Sequence, residues 1–290
     1  MGNVELNRYS RPAMFRRMAL VSWARPSDPQ VYARAEVDVG KALEFARQES
    51  ERAGVQVTLA HLVLRAVALA LREFPEANAL VRWNRIYTRK RVHMFFHVAL
   101  PGKKPDLSGV IVRDADAKAP AQIAQELREK IKAVRSGADG EIARTQRMLD
   151  RIPSCLYRPL LRAIGFLQYT LNLDLSRLGM PRDPFGGAAV TSIGSFGISE
   201  AFAPLPPITR IPLLVSVGKV EPRPVVRDGA IVIRPVCVLC ATFDHRIMDG
   251  YLAGKLAKFV TRYLADPPWR EKASGGSSCG RSPGQSGEGA

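Results

Sequence analysis

The block from Pro212 to Leu264 constrains the fold of this chain more than any other. Residues Pro212–Val220 and Ala230–Phe243 alternate β-branched and other side chains, and Asp228-Gly229 between them is a hairpin signal. A third run of the same kind covers Ala188–Ile193. Tyr251–Leu264 then changes period and sets Leu252, Leu256, Phe259, Val260 and Tyr263 on the inner face of a closing helix. The final third is therefore strand-rich and ends on a helix. Beyond Trp269 the chain turns Gly- and Ser-rich, and disorder is expected there.

The earlier part reads as mixed structure. Residues 31–39 alternate as a strand. A helix follows from Gly40 to Ala53, with Ala42, Leu43, Phe45 and Ala46 available for its inner face. Thr58 is an N-cap for the apolar helix LAHLVLRAVALALREF, which Pro75 stops. His61, in its first turns, is a packed or half-exposed histidine in preference to a ligand. Residues 80–88, 91–100 and 108–113 read as strands. Residues 119–136 read as a charged helix with Ile123, Leu127 and Ile131 inward. From Cys155 to Gly179 the chain is apolar with Arg158, Arg162 and Arg177 interspersed, and a helix is expected from Leu160 to Leu171. That helix is too short to span a bilayer. Its apolar side is read first as core, with an acyl-pocket cover or a membrane-facing surface as the other options.

Composition narrows the function classes. With 290 residues, 46% of them hydrophobic and 24% charged, most of the chain should be globular. No apolar run approaches the roughly 20 residues of a membrane span, and the opening lacks an apolar signal core, so a cytoplasmic protein is expected. Lys and Arg number 43 against 27 Asp and Glu, a net charge of +16 that favours polyanionic or phosphate-rich partners. No RNP-like box, zinc-finger spacing or glycine-lysine phosphate loop is present, so nucleic acid is not the expected partner. Cys155, Cys237, Cys240 and Cys279 offer one CxxC. Its two members point to opposite faces of a strand, so a buried structural role is expected and no metal.

Chemistry concentrates in TFDHRIMDG, Thr242 to Gly250, where the last strand meets the last helix. His245 stands four residues before Asp249, with Arg246 beside it and Gly250 closing the turn. Histidine ordinarily titrates at about 6.5 and is mostly neutral and basic at pH 7. A thiol can give up its proton to such a base as it attacks an acyl carbon.

DHRIMDG resembles the DHRxxDG signature of the acyltransferase components of 2-oxoacid dehydrogenase complexes, a family that shares its fold with chloramphenicol acetyltransferase. Further blocks are similar in the same order: PQVYARAEVDVGKAL, TLAHLVLRAVALALREFPEANA, VIVRDADAKAPAQIAQEL, and VTSIGSFG through to VVRDG. The resemblance covers residues from about 12 to 265. It implies an α+β fold, a two-layer sandwich of a mixed sheet with flanking helices. It also implies an N-terminal arm at 1–11, a catalytic domain at 12–272 with an insertion at about 136–187, and a tail at 273–290.

Carried over by position, the resemblance makes His245 the general base of an acyl transfer using coenzyme A, without metal. It sets Thr191 as the hydroxyl that meets the tetrahedral oxyanion, with Ser192 its neighbour if the register slips by one. Ser192 and Arg246 fall to coenzyme A, and Asp249 joins the catalytic set, shaping the loop through an ion pair with Arg246, Arg16 or Arg17. It further implies a homotrimer with active sites between subunits. No lipoyl-type hairpin precedes the catalytic block, so a lipoyl group, or a 2-oxoacid dehydrogenase partner, would act in trans. The C-terminal segment PPWREKASGGSS departs from the family's apolar one, so a free trimer is expected. Three readings follow: a stand-alone acyltransferase with a thiol or hydroxyl acceptor, a lipoyl-dependent core, or a non-catalytic or membrane-associated scaffold retaining the fold.

Overall fold

The computed structural model describes residues 2–8, 29–100, 106–135 and 154–267. The 273–290 tail, Arg16 and Arg17, Cys279 and the 136–153 part of the expected insertion lie outside them. In chain order the elements are β1 (Leu6–Arg8), β2 (Gln30–Asp38), α1 (Gly40–Ala53), α2 (Leu59–Glu73), β3 (Ala79–Arg82), β4 (Arg85–Arg89), β5 (Met94–Leu100), β6 (Asp106–Val112), α3 (Pro120–Arg135), α4 (Ser154–Gly165), β7 (Ala188–Ser192), β8 (Leu213–Arg227), β9 (Ala230–Asp244) and α5 (Gly250–Ala265).

Six strands form the main sheet in the order β2-β9-β8-β7-β5-β6. Its centre is parallel, β8 with β7 and β7 with β5, and its flanks are antiparallel. Helix α2 lies against the sheet with α1, α3 and α5 around it. That placement explains its sequence: an apolar helix without a polar face needs cover on every side, and Leu62, Leu64 and Leu71 are fully buried. The sheet's helix side carries Val190, Val215, Val217, Cys237 and Leu239 in one core. Phe95, Ala189, Leu205, Ile211 and Leu214 form a smaller cluster on the other side. Cys237 and Cys240 are buried on opposite faces of β9 as the alternation predicts. The architecture is the expected α+β mixed sheet with flanking helices.

Four stretches differ from their sequence reading. Residues 80–88 are not one strand but the hairpin β3–β4, turning at Trp83 and Asn84, both with positive φ (50° and 55°). β1 completes that small sheet by pairing with β4, so residues 6–8 of the expected arm are part of the fold. The C-terminal hairpin is longer than its alternation suggested, because β8 runs on to Arg227 through Pro222 and Pro224. Proline is tolerated where a ribbon has no further neighbour to bond. The apolar segment makes a helix from Ser154 with Pro159 inside it, then a single π-type turn at Phe166–Thr170, in place of one helix over 160–171.

Candidate active site

The loop after β9 is built almost entirely to hold one side chain. The Asp244 backbone N–H donates to Pro212 O at 2.9 Å and that of His245 to Pro29 O at 2.8 Å, stitching the loop to two neighbouring segments. The Asp244 carboxylate accepts from the Arg246 backbone N–H at 2.9 Å and from its guanidinium at 2.7 Å. This pair holds the arginine above its ordinary pKa, through that side-chain bond first. Ile247 and Met248 follow, 2% and 1% exposed, each worth about 2 kcal/mol of burial. Asp249 then caps α5 by accepting the Leu252 N–H at 2.8 Å. His245 is half-buried on this clamped loop, its ring stacked beside Phe243 at 6.5 Å between centroids and 23° between planes.

One of the three partners expected for Asp249 is removed here, while Arg16 and Arg17 lie outside the described residues. Arg246 does not pair with Asp249: its guanidinium is bound to Asp244, two residues away, and Asp249 serves as a helix cap. The cap satisfies one of the unpaired N–H groups of the first helical turn. Asp244, which the sequence reading passed over, is the residue that fixes the loop. Its signal is the acceptor-x-arginine spacing of a tight turn.

Thr191 and Ser192 end β7 and border a cleft of about 1030 Å³. The cleft lies at the C-terminal ends of parallel strands, where open α/β sheets place ligands, under the first turn of α2 and the flank of α3. Leu59, Phe96, Val98, Leu127, Ile131 and Val217 supply apolar walls, and Arg128 and Lys219 supply cations. Phe196, on the turn after β7, is 62% exposed at the same cleft. That turn packs closely on β8, since a Cβ on Gly218 would lie 2.0 Å from Ser199 O, so glycine is required there.

His61 is the residue whose place in the cleft the sequence reading missed. Its Nδ1 accepts the Thr58 N–H at 3.2 Å, completing a capping box. Burial holds its pKa down at about 4, so it faces the cleft as a neutral ring. Burial also lowers His97, which packs edge-on against Phe95 at 5.0 Å. Among the described residues no group of three His, Cys, Asp or Glu side chains could hold a metal ion.

Strand register separates the two key groups. Thr191 pairs with Ser216, Ser216 pairs with Cys240, and His245 lies five residues beyond Cys240. At about 3.3 Å per residue and about 4.8 Å per strand, the two residues of one chain stand roughly 20 Å apart. One copy of the chain does not bring the two side chains together.

Comparisons with known proteins give the family and the fold. The family model for 2-oxoacid dehydrogenases acyltransferase (catalytic domain) matches residues 3–141 and 184–269. The acetyltransferase component of the acetoin cleaving system of Bacillus subtilis is 27% identical over 236 residues, 79% of this chain and 48% of that protein. The chain thus spans about half the length of this relative. The dihydrolipoamide acetyltransferase of Azotobacter vinelandii has a similar fold, with TM-score 0.61, 22% identity and 82% of each chain covered. Its structure was solved to examine a serine, a histidine and an asparagine in that enzyme's mechanism, the last two four residues apart. Chloramphenicol acetyltransferase superposes with TM-score 0.51 and 18% identity over 90% of this chain and 100% of its own.

Proposed function

This chain belongs to the family of 2-oxoacid dehydrogenase acyltransferase catalytic domains, and from that premise we propose that it moves an acyl group between coenzyme A and a thiol or hydroxyl acceptor. The observation that carries the reading is the loop at His245, where an ion pair, a buried apolar pair and a helix cap together present one imidazole. Its spacing to Asp249 equals that between the histidine and asparagine of the Azotobacter enzyme.

In the proposed reaction the acceptor's S–H or O–H attacks the acyl carbon of the thioester as His245 takes its proton. The carbonyl oxygen becomes an oxyanion and accepts a hydrogen bond from Thr191 Oγ1. One such bond is worth roughly 3 kcal/mol of barrier. Collapse expels the thiolate of coenzyme A, which takes the proton back from the imidazolium. Ser192 also borders the cleft; by strand alternation it shares the helix-side face of Val190, and Thr191 shares the opposite face with Ala189.

The cleft beside Thr191 suits coenzyme A. Its apolar walls fit the pantetheine arm, Phe196 offers a face for a base to stack on, and Arg128 and Lys219 meet phosphates. Arg246 is the weaker candidate for that task, since Asp244 occupies its guanidinium.

The separation of Thr191 and His245 supports an active site assembled between copies, in a homotrimer. The outer half of the β8–β9 ribbon supports it as well. Val226 faces Ile231 and Pro224 faces Ile233, and Val226, Ile231 and Ile233 are 74%, 78% and 76% exposed. An apolar ladder so exposed marks a contact surface. The acceptor is proposed to be a dihydrolipoyl group on a separate protein, or another thiol or alcohol.

The test is release of free coenzyme A from acyl-CoA substrates, with dihydrolipoamide and simple alcohols as acceptors. Wild type is expected to turn over, and His245→Ala to lose activity by roughly 1,000-fold or more. Equal rates in the two proteins would remove His245 from the mechanism.

A further inference from the structure

The turn of the β3–β4 hairpin holds an expensive choice of residue. Its two central positions are left-handed, a conformation that Asn and Gly adopt readily and a bulky aromatic does not. Asn84 fits that demand; Trp83, at φ 50°, does not. The indole is 58% exposed, so burial does not repay the strain. Arg82 and Arg85 flank it as a cross-strand pair.

Trp83 is not isolated. Its ring meets Phe166 edge-on at 6.1 Å. Phe166, Leu171, Leu173 and Leu178 are 45%, 38%, 45% and 65% exposed. All four fall in residues 142–183, which the family match leaves out. The Leu171 N–H donates to Phe166 O and that of Leu173 to Leu167 O, holding the backbone at 171–173 against the turn that carries Phe166. Arg162 and Arg177 are exposed on the same segment. Across residues 79–89 and 159–179 the sequence holds a single carboxylate, Asp174. It is occupied by the Ser176 N–H at 2.9 Å and by Arg182 at 3.5 Å.

We propose that this face, with Trp83 at its tip, docks on an anionic lipid bilayer. Exposed Trp, Phe and Leu side chains are those that enter the boundary between headgroups and acyl chains. Guanidinium groups around them bind lipid phosphates bidentately. Local charge decides between occupants: a second copy laid face to face here would set arginine against arginine, with the occupied Asp174 as the one carboxylate of these stretches, whereas a bilayer of anionic headgroups is complementary. No helix among the described residues is long and apolar enough to cross a membrane, so the contact is a surface one.

The experiment is co-sedimentation of the full chain with phosphatidylcholine vesicles, with and without phosphatidylglycerol. Binding is expected only with phosphatidylglycerol, and it should weaken as salt is raised. The double variant Trp83→Asn, Phe166→Ser is expected to bind about tenfold more weakly or less. Asn suits the left-handed turn, so this variant should fold, and its thermal melt verifies that. Arg162→Glu with Arg177→Glu should lose binding to a similar degree. Arg47→Glu with Arg52→Glu on α1, the same change in charge, should lose much less. Three results would overturn the proposal: no binding to phosphatidylglycerol vesicles, equal loss from the α1 charge reversal, or a smaller oligomer in the Trp83→Asn, Phe166→Ser variant by sedimentation velocity. The last would make the face a contact between subunits.

Discussion

Thr191 and His245 of one chain are held roughly 20 Å apart by the register of β7, β8 and β9. One stands at the end of a central parallel strand, the other on a clamped loop at the far end of β9, two strands away. No rotamer change spans that gap. If the two act on the same carbonyl, as proposed, they come from different copies of the chain.

If the Thr191 hydroxyl meets the oxyanion, its removal should act on kcat. Thr191→Val is expected to lower kcat by roughly 100- to 1,000-fold with little change in KM, and Thr191→Ser to retain most of the rate. Steady-state kinetics on the preferred acyl-CoA distinguish the two. A fall in Ser192→Ala in place of Thr191→Val would shift the role by one residue.

Asp249 is predicted to matter through α5 more than through chemistry. Asn caps a helix as well as Asp does, so Asp249→Asn should keep both the melting temperature and the rate. Asp249→Ala should lose about 1 kcal/mol of stability, and its rate should fall as the loop before α5 frays. Denaturant unfolding and CoA-release assays on the two variants provide the comparison.

The ribbon ladder gives a prediction about assembly. Ile231→Glu with Ile233→Glu should convert the proposed trimer to monomers and remove activity, while circular dichroism stays native, because both side chains are exposed in the single chain. Sedimentation velocity reads the outcome directly. A trimer that survives both charges would place the subunit contact elsewhere.

One buried and two half-buried histidines set a pH dependence. Burial lowers the pKa of His61, His93 and His97, that of His61 to about 4. The unfolded chain then binds more protons than the folded one below the ordinary histidine pKa of about 6.5. Stability should be full above that pH and decline as pH falls toward 4. The slope from His61 is on the order of 1 kcal/mol per pH unit. His61→Gln keeps a capping-box partner for Thr58 and should flatten that slope. Thermal melts from pH 7 to pH 4 compare the two proteins.

What the sequence made legible was whatever depends on near neighbours. The alternation of β7 to β9, the Thr58 cap and the apolar faces of α2, α3 and α5 all appear where the residues predict them. The His245 loop was found because its seven residues are contiguous. Less local features were lost. Trp83-Asn84 lacks the glycine that announces a turn, so one strand was read where a hairpin exists. Pro222 and Pro224 hid the outer ribbon, since proline is a strand breaker only where its N–H is needed. Arg246 stood with Arg16 and Arg17 as a possible partner of Asp249, because the sequence does not show that the tight turn gives its guanidinium to Asp244. The cleft joins α2, α3, β5, β7 and β8, and no stretch of sequence records that meeting.

Subunit complementation is the most direct test of the whole account. His245→Ala and Thr191→Val proteins are purified separately, shown to be inactive or nearly so, then unfolded, mixed in equal amounts and refolded together. Random assembly pairs an intact histidine with an intact threonine at about a quarter of the interfaces. The mixture should therefore regain roughly a quarter of the wild-type rate, and each variant refolded alone should regain none. A mixture no more active than its components, with trimers re-formed, would contradict an active site shared between subunits.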